Sequence, residues 1–429
     1  MDIDRVPPRG WLIVIMLFGF MVTNFADKAV LGLSAAPIMR DLELDHTQFG
    51  LVGSSFFLFF SLSAVPVGFL ANRVATKWVL LAMALSWSLV QLPMVLLPVG
   101  VAGLVANRML LGLGEGPAYP IALHATYKWF PDARRPLPTS LVALGGAVGA
   151  GLVAPQIVYV IVHYSWRAAF AMLGMVSLAW CVAWLCVGKE GPLTTETVAP
   201  PTRVRYAGLL TSRTFVSQLM VAFSAYWLVT VAVVWLPAFL AQGAGYAPSE
   251  IGWIVALPAL AQIVLMPSGC ALSEWLKRRG ASSRFARGGL ACAGLLIAGV
   301  LTLALPWVSQ TILAPVCVAL AFSSGNLIFS LGHVMVAEIS PIGQRGSMLA
   351  ICNAVATLAG PLAPAAMGAI VDNAATATAG FGTGFMLTGG GAAAVAIMAL
   401  MLIDPEADRA RFASVRAPDR VGSGGAVGD

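Results

Sequence analysis

Long apolar stretches broken by short polar interruptions fill almost the whole chain, from Trp11 to Ile403. Bounded by charges, prolines or glycines, they read as spans at about 11–37, 48–71, 78–98, 101–122, 138–162, 168–188, 214–241, 251–272, 286–306, 310–336, 346–371 and 381–403. Each is close to the roughly 20 residues that a helix needs to cross a hydrocarbon core. None alternates apolar and polar positions as a lipid-facing barrel strand does. The pattern predicts an all-α membrane protein of twelve transmembrane helices in two six-helix bundles. The first run is too long for a signal-peptide core and is expected to be a retained span.

Composition agrees with a lipid-facing surface. Of 429 residues, 59% are hydrophobic and only 10% are charged, against roughly 25% charged in a soluble domain. The net charge of +6 does not point to nucleic acid, because the basic residues alternate between loops. One set of loops carries Arg73 and Lys77; Lys128, Arg134 and Arg135; Lys189, Arg203, Arg205 and Arg213; and Lys277, Arg278, Arg279, Arg284 and Arg287. The opposite set carries Arg40 and Arg167. The positive-inside rule then puts both termini in the cytoplasm, and the expected location is a plasma (bacterial inner) membrane. The six cysteines lie in or beside apolar runs without a CxxC pair, as small buried residues do.

The longest polar connection, 189–213, holds Gly191, Pro192, Pro200 and Pro201 and reads as a cytoplasmic linker. It divides an N-terminal bundle, 1–188, from a C-terminal bundle, 214–403. A faint internal echo, Pro66-Val-Gly68 against Pro267-Ser-Gly269, falls at equivalent helix ends, as two matching halves of a carrier would give. The polar tail, 404–429, is expected to be disordered.

Four charged side chains lie inside spans: Asp27, Lys28, Arg108 and Glu115. Each costs roughly 2.5–3.5 kcal/mol at a helix centre on insertion scales, and such residues mark pathways and relays more often than packing. Asp27, Lys28 and Arg108 fall at a similar depth. Arg108 and Glu115 are two turns apart on one face of span four, about 10.5 Å along the axis. Arginine recognises a carboxylate through a planar fork and lysine through a point charge. A carboxyl group withdrawn from water can carry a proton. The facing spans of the second half offer neutral polar groups: Tyr226, Thr230, Ser323, Ser324, Asn326, Asn353 and Thr357. A cationic half opposite a hydrogen-bonding half forms a cage for a small carboxylate. Glycines such as Gly112, Gly145 and Gly149 fit close helix packing, and Gly360, Pro361, Pro364 and Gly368 fit a bend in span eleven.

These residues resemble the major facilitator superfamily, in particular its anion:cation symporter branch, which carries sugar acids and other organic anions. The resemblance covers most of the chain. It rests on Asn24-Phe25-Ala26-Asp27-Lys28 in span one and on Gly68-Phe-Leu-Ala-Asn72-Arg73 after span two. It rests also on Asn107-Arg108 through Glu115 to Pro120, on Trp129-Phe130-Pro131, and on Trp166-Arg167-x-x-Phe170. Asn353 to Pro364 is similar to the branch's span eleven. The resemblance implies proton-coupled symport of an organic anion by alternating access. Asp27 and Glu115 would be the proton sites, and Lys28 and Arg108 would hold the anion or pair with those acids. Asn24, Phe60, Tyr226, Asn326 and Asn353 would line the substrate site, and Gly68, Asn72 and Arg73 would form the gating loop.

Departures from the branch matter. Lys28 stands where an arginine is usual, and Asn72 where the gating loop has an aspartate. Phe25, Phe60 and Ala64 stand where relatives with polyhydroxylated substrates often have Tyr, Tyr and Gln, which suggests a less hydroxylated acid. The alternative is a proton-coupled exporter of hydrophobic compounds of the drug-efflux type, although Lys28 and Arg108 would repel a cation. No span carries a Ser/His, His/Glu or Asp/Asp constellation suited to hydrolysis, so an enzyme is not expected. The expected partners are a small organic anion, protons and the bilayer, with no nucleic acid, metal or cofactor, and the carrier is expected to be monomeric.

Overall fold

The computed structural model describes residues 8–71, 74–96, 100–116, 118–130, 136–193, 205–308 and 313–414. Ten helices among them are long and apolar enough to cross a membrane. They are α1 (Pro8–Leu33), α3 (Thr76–Leu96), α5 (Leu137–His163), α6 (Trp166–Val187), α7 (Arg213–Gly243), α8 (Pro248–Arg278), α9 (Arg284–Val308), α10 (Ala314–Ile339), α11 (Met348–Asp372) and α12 (Ala377–Leu402). Two more segments complete the expected set. These are α2 (His46–Ala71) and α4, which runs over Val101–Glu115 and resumes over Ala118–Tyr127. The helices form two six-helix bundles, α1–α6 and α7–α12. The first predicted span, 11–37, is two helices: α1 ends at Leu33, and a short helix, Ala35–Asp41, follows Ser34.

In lipid, helix association depends on close van der Waals packing, which small residues permit. A Cβ on Gly299 of α9 would lie 2.6 Å from the backbone of Ala393, and Gly389 of α12 meets the α9 backbone in return. Helix α11 breaks at Leu358, between Ile342–Thr357 and Ala359–Asp372. Pro361 has no N–H to return to the Thr357 carbonyl, and Gly360 lies against the Phe57 ring of α2. The predicted bend in span eleven therefore falls at one irregular turn, where the Leu358 N–H bonds to the Val355 carbonyl three residues back.

Contacts between the bundles gather at the end that carries the α1–α2 and α11–α12 connections. There α1 packs on α7, α2 on α11 and α5 on α8. The Trp235 indole N–H of α7 donates to the Pro364 carbonyl of α11 at 2.9 Å, in a cluster with Phe49 and Phe381. At the opposite, arginine-rich end, the second part of α4 packs mainly on α1, α2, α3 and α5. The second part of α10, Ile328–Ile339, packs mainly on α7, α9 and α11 and on the C-terminal segment Pro405–Ser414.

The tail corrects one expectation. Residues Pro405–Ser414 form a helix, α13, where disorder was predicted for 404–429. Its carboxylates cap two helix starts: Asp408 accepts from the Thr214 N–H at 2.8 Å, and Glu406 accepts from the N–H groups of Ser283 and Arg284. Phe412 is buried beneath it. Residues 415–429 lie outside the described residues. The thiols are a partial correction as well, since Cys181, Cys292 and Cys352 are buried but Cys186 is exposed.

Candidate functional site

The four intramembrane charges come together where α1 meets α4. Asp27, Arg108 and Glu115 are buried to 1% exposure or less, and Lys28 retains 13% side-chain exposure. Helix α4 brings its two charges here through Gly112. A Cβ at that position would run into the Phe56 carbonyl of α2, so its absence draws α4 against α2 and sets Arg108 and Glu115 facing inward.

Lys28 Nζ lies 3.7 Å from Glu115 Oε2 and donates to Asn24 Oδ1 at 2.6 Å, one turn back on its own helix. Two phenyl faces flank the ammonium, Phe25 at 4.1 Å and Phe60 at 4.9 Å from the ring centroids. Such cation–π contacts stabilise a desolvated cation by about 2 kcal/mol. The Arg108 guanidinium stacks over Phe170 at 4.9 Å and reaches the Asp27 backbone carbonyl at 3.4 Å. Its Nε donates to Asn107 Oδ1, and Asn107 in turn donates to the Val90 carbonyl. That chain orients the guanidinium from behind.

The pairing is incomplete. Arg108 Nη2 and both carboxyl oxygens of Asp27 and of Glu115 have no hydrogen-bond partner among the described residues. Gln91 of α3, fully buried, lies beside Asp27 without the geometry of a strong hydrogen bond. Buried ionic groups left this underpaired destabilise a fold, and the arrangement has the donors and acceptors that a carboxylate and a proton would use. The cluster is closed on most sides, with Lys28 at its accessible edge.

The second half contributes less polar chemistry than its sequence promises. Thr230, Ser323, Ser324 and Thr357 turn their hydroxyls onto carbonyls of their own helices. Asn326 is held by Gln262 of α8, its amide donating at 2.9 Å. Tyr226 meets Phe57 and Phe329 edge-on at 6.4 Å. Phe57 contacts Phe56, and Phe56 contacts Phe60, so a train of rings joins Tyr226 to the Lys28 end of the cluster. Asn353 is exposed on α11 and makes no hydrogen bond within this group. Of the gating loop, Asn72 and Arg73 lie outside the described residues, and Gly68 lies in the last turns of α2. An apolar cavity of about 590 Å³ between α7, α11 and α12, bordered by Phe223, Trp227 and Leu387, holds none of the predicted site residues.

Sequence reasoning did not single out Gln91 and Gln262. Each is an amide inside an otherwise apolar span, a signal of the same kind as the charges and weaker by the absence of charge.

Apolar helices of spanning length around a buried cluster of charges define a polytopic membrane protein with one candidate polar site. The chain belongs to the Major Facilitator Superfamily, whose model matches residues 16–279 and 218–423. It is 26% identical to a hexuronate transporter of Bacillus subtilis, across 94% of this chain and 95% of that one. A Cupriavidus necator protein named "Probable sulfoacetate transporter SauU" is 24% identical across 95% and 98%. Among solved structures, a D-xylose-proton symporter superposes with a TM-score of 0.75 at 15% identity, covering 92% of this chain and 98% of the other.

Proposed function

We propose that this protein is a proton-coupled symporter of a small organic anion, working by alternating access between its two bundles. The observation that carries the reading is the convergence of Lys28, Arg108, Asp27 and Glu115 on one buried site. The 3.7 Å pair of Lys28 and Glu115 makes the anion and the proton interdependent. While Glu115 is ionised it competes with a substrate carboxylate for the same ammonium. A proton taken from the outer water neutralises Glu115 and releases Lys28 to the substrate. Arg108, with Nη2 unpaired, supplies the second donor. When the site faces the cytoplasm, Glu115 gives its proton to the inner water, pairs again with Lys28 and expels the anion. Asp27, beside Arg108 and further from the accessible edge, acts as a second proton acceptor. Export of hydrophobic cations fits less well, because two buried cations guard the site.

The loop charges support cytoplasmic termini, so the end where the bundles touch is the outer one, and the structure corresponds to a carrier closed to the outside. Residues 189–213 then link the bundles on the inner face. The rings of Phe25 and Phe60 around Lys28 favour an acid with few hydroxyls. The name of one relative, sulfoacetate transporter, describes such a solute, and that of another, hexuronate transporter, describes a hydroxylated one.

The test is uptake of labelled organic acids into proteoliposomes under an imposed pH gradient. One coupled proton supports about tenfold accumulation per pH unit. Glu115→Gln is expected to abolish that accumulation while retaining exchange of labelled for unlabelled acid. Normal accumulation by this variant rules out its coupling role.

A further inference from the structure

Gln91 of α3 is a buried amide with no part in the transport cycle described above. It is fully buried, and neither its Nε2 nor its Oε1 has a hydrogen-bond partner among the described residues. Leaving both ends of an amide unpaired away from water is destabilising, so its place beside Asp27 calls for a reason. Packing holds the side chain there. Phe20 of α1 meets Trp87, one turn before Gln91, with ring centroids 4.6 Å apart. Gly174 of α6 seats the stem of Gln91, since a Cβ on that glycine would lie 3.2 Å from the Gln91 Cβ. The preceding residue serves Arg108: the Val90 carbonyl accepts from Asn107 Nδ2 at 2.8 Å, and Asn107 Oδ1 accepts from Arg108 Nε. Helix α3 therefore supports both members of the Asp27–Arg108 pair.

A carboxyl group that gains and loses a proton in a sealed site needs an acceptor in one state and donors in the other. The charged groups that act on Asp27 are Arg108 and Glu115 of α4 and Lys28 of its own helix. Among the described residues, α5, α6 and α7, which also pack on α1, set no charged side chain against it. Arginine and lysine have donors only, so they serve the carboxylate and have nothing for the O–H of the acid. Glu115 has acceptors, but Lys28 lies 3.7 Å from it and occupies that side. A glutamine amide carries an oxygen acceptor and two N–H donors, and it does not titrate. Its terminal torsion is soft. With both ends unpartnered, nothing among the described residues fixes which end faces Asp27.

We propose that Gln91 is the positioning residue of the Asp27 proton site: its Oε1 accepts from the protonated acid, and half a turn of the amide brings Nε2 round to donate to the carboxylate. The proton joins or leaves an Asp27 oxygen, and Gln91 keeps both of its own N–H hydrogens throughout. Asp27 then has a partner in either state. Its carboxylate does not have to draw the guanidinium of Arg108 away from the substrate, and the unpaired Nη2 stays available to the anion. The use of the proton rests on the transport reading above. The pairing of Gln91 with Asp27 does not.

Infrared spectroscopy of the full chain in lipid nanodiscs, titrated from acid to alkaline pH, tests the pairing through the carbonyl stretch of the protonated acid. The band that Asp27→Asn removes belongs to Asp27. Gln91→Met keeps the length of the side chain and its packing on Gly174 but has no amide. It should move the Asp27 band to higher frequency, as a carboxylic acid absorbs when freed of its hydrogen bond. The pH at which the band is half-developed should rise by about one unit, because the bond lost by the carboxylate is about tenfold stronger than the one lost by the acid. Isotope-labelled glutamine gives a second readout with position 91 unchanged, and it decides alone if Gln91→Met does not fold. The parent should show a side-chain amide band that changes with pH and is lost in Asp27→Asn. An Asp27 band unmoved by Gln91→Met overturns the proposal, as does a parent without the pH-linked carboxyl band or the amide band. A Gln91→Met shift that persists in the Asp27→Asn background also overturns it, by assigning the effect to Glu115. A Gln91-dependent Asp27 band in a protein that takes up no organic acid supports the pairing and defeats the transport reading alone. Proton-driven uptake with an unmoved band does the reverse.

Discussion

Lys28 and Asp27 are neighbours on α1, yet the lysine pairs with Glu115 of α4, 3.7 Å away, while both Asp27 carboxyl oxygens lack a hydrogen-bond partner among the described residues. Successive residues on a helix point about 100° apart, so the two charges leave α1 in different directions. Lys28 reaches the accessible edge and Asp27 lies in the sealed interior beside Arg108 and Gln91. The two acids therefore have unequal access to water and to substrate. Glu115 is the one whose ionisation decides whether Lys28 is free.

Arg108 is expected to require its planar fork. Arg108→Lys keeps the charge but forfeits the bond from Nε to Asn107 and the stack on Phe170. One charged hydrogen bond contributes roughly 1.5–3 kcal/mol, so KM for the transported acid should rise about tenfold or more. An unchanged KM in proteoliposome uptake would remove Arg108 from the binding site.

The rings around Lys28 should set the choice of solute. Phe60→Tyr adds a hydroxyl at the edge of a ring whose centroid lies 4.9 Å from the ammonium. Competition by a polyhydroxylated acid should strengthen relative to an apolar acid, by about fivefold for one new neutral hydrogen bond. A panel of unlabelled acids competing against labelled uptake measures the ratio, and no change in ranking would place Phe60 outside the substrate's reach.

Gly112 should tolerate no side chain. A Cβ would lie 3.0 Å from the Phe60 nitrogen and closer still to the Phe56 carbonyl, both backbone of α2. Overpacking of this kind costs about 1–3 kcal/mol. Gly112→Ala should therefore lower the thermal midpoint in detergent by several degrees and weaken uptake. An undiminished midpoint would mean that α2 and α4 separate freely.

Glu190, in the connection after α6, should confer acid sensitivity. Burial pushes its carboxyl up, but Lys128, the Lys77 N–H and the Thr76 hydroxyl outweigh that and hold it below the ordinary glutamate value. A depressed carboxyl stabilises the fold above its unfolded pKa, about 4.3, and that contribution is lost as pH falls through the folded value. Glu190→Gln should lower thermal stability at neutral pH and flatten its fall below about pH 4.5. A variant with the parent's acid profile would show that the capping of α3 by Glu190 is energetically idle.

Much of this protein was readable in one dimension because the bilayer restricts what a chain can do. Spanning helices need long apolar runs, and a charge inside such a run is costly wherever it points, so Asp27, Lys28, Arg108 and Glu115 stood out without any knowledge of their neighbours. The amides Gln91 and Gln262 carry no charge and were passed over for that reason. Local irregularities were also invisible: the turn at Ser34 and the tightened turn at Leu358 depend on one or two residues within apolar sequence. Helix α13 looked disordered because its stability comes from capping Thr214 and Ser283 and from burying Phe412, contacts with residues more than a hundred positions away. Partner choice belonged to the tertiary structure for the same reason. Periodicity put Arg108 and Glu115 on one face, but only the packing of α4 on α1 and α2 decided that Glu115 meets Lys28. Likewise, nothing local to His46 announces Asp372, 326 positions along the chain. Their meeting is a property of two bundles pressed together, and sequence position carries no record of that pressure.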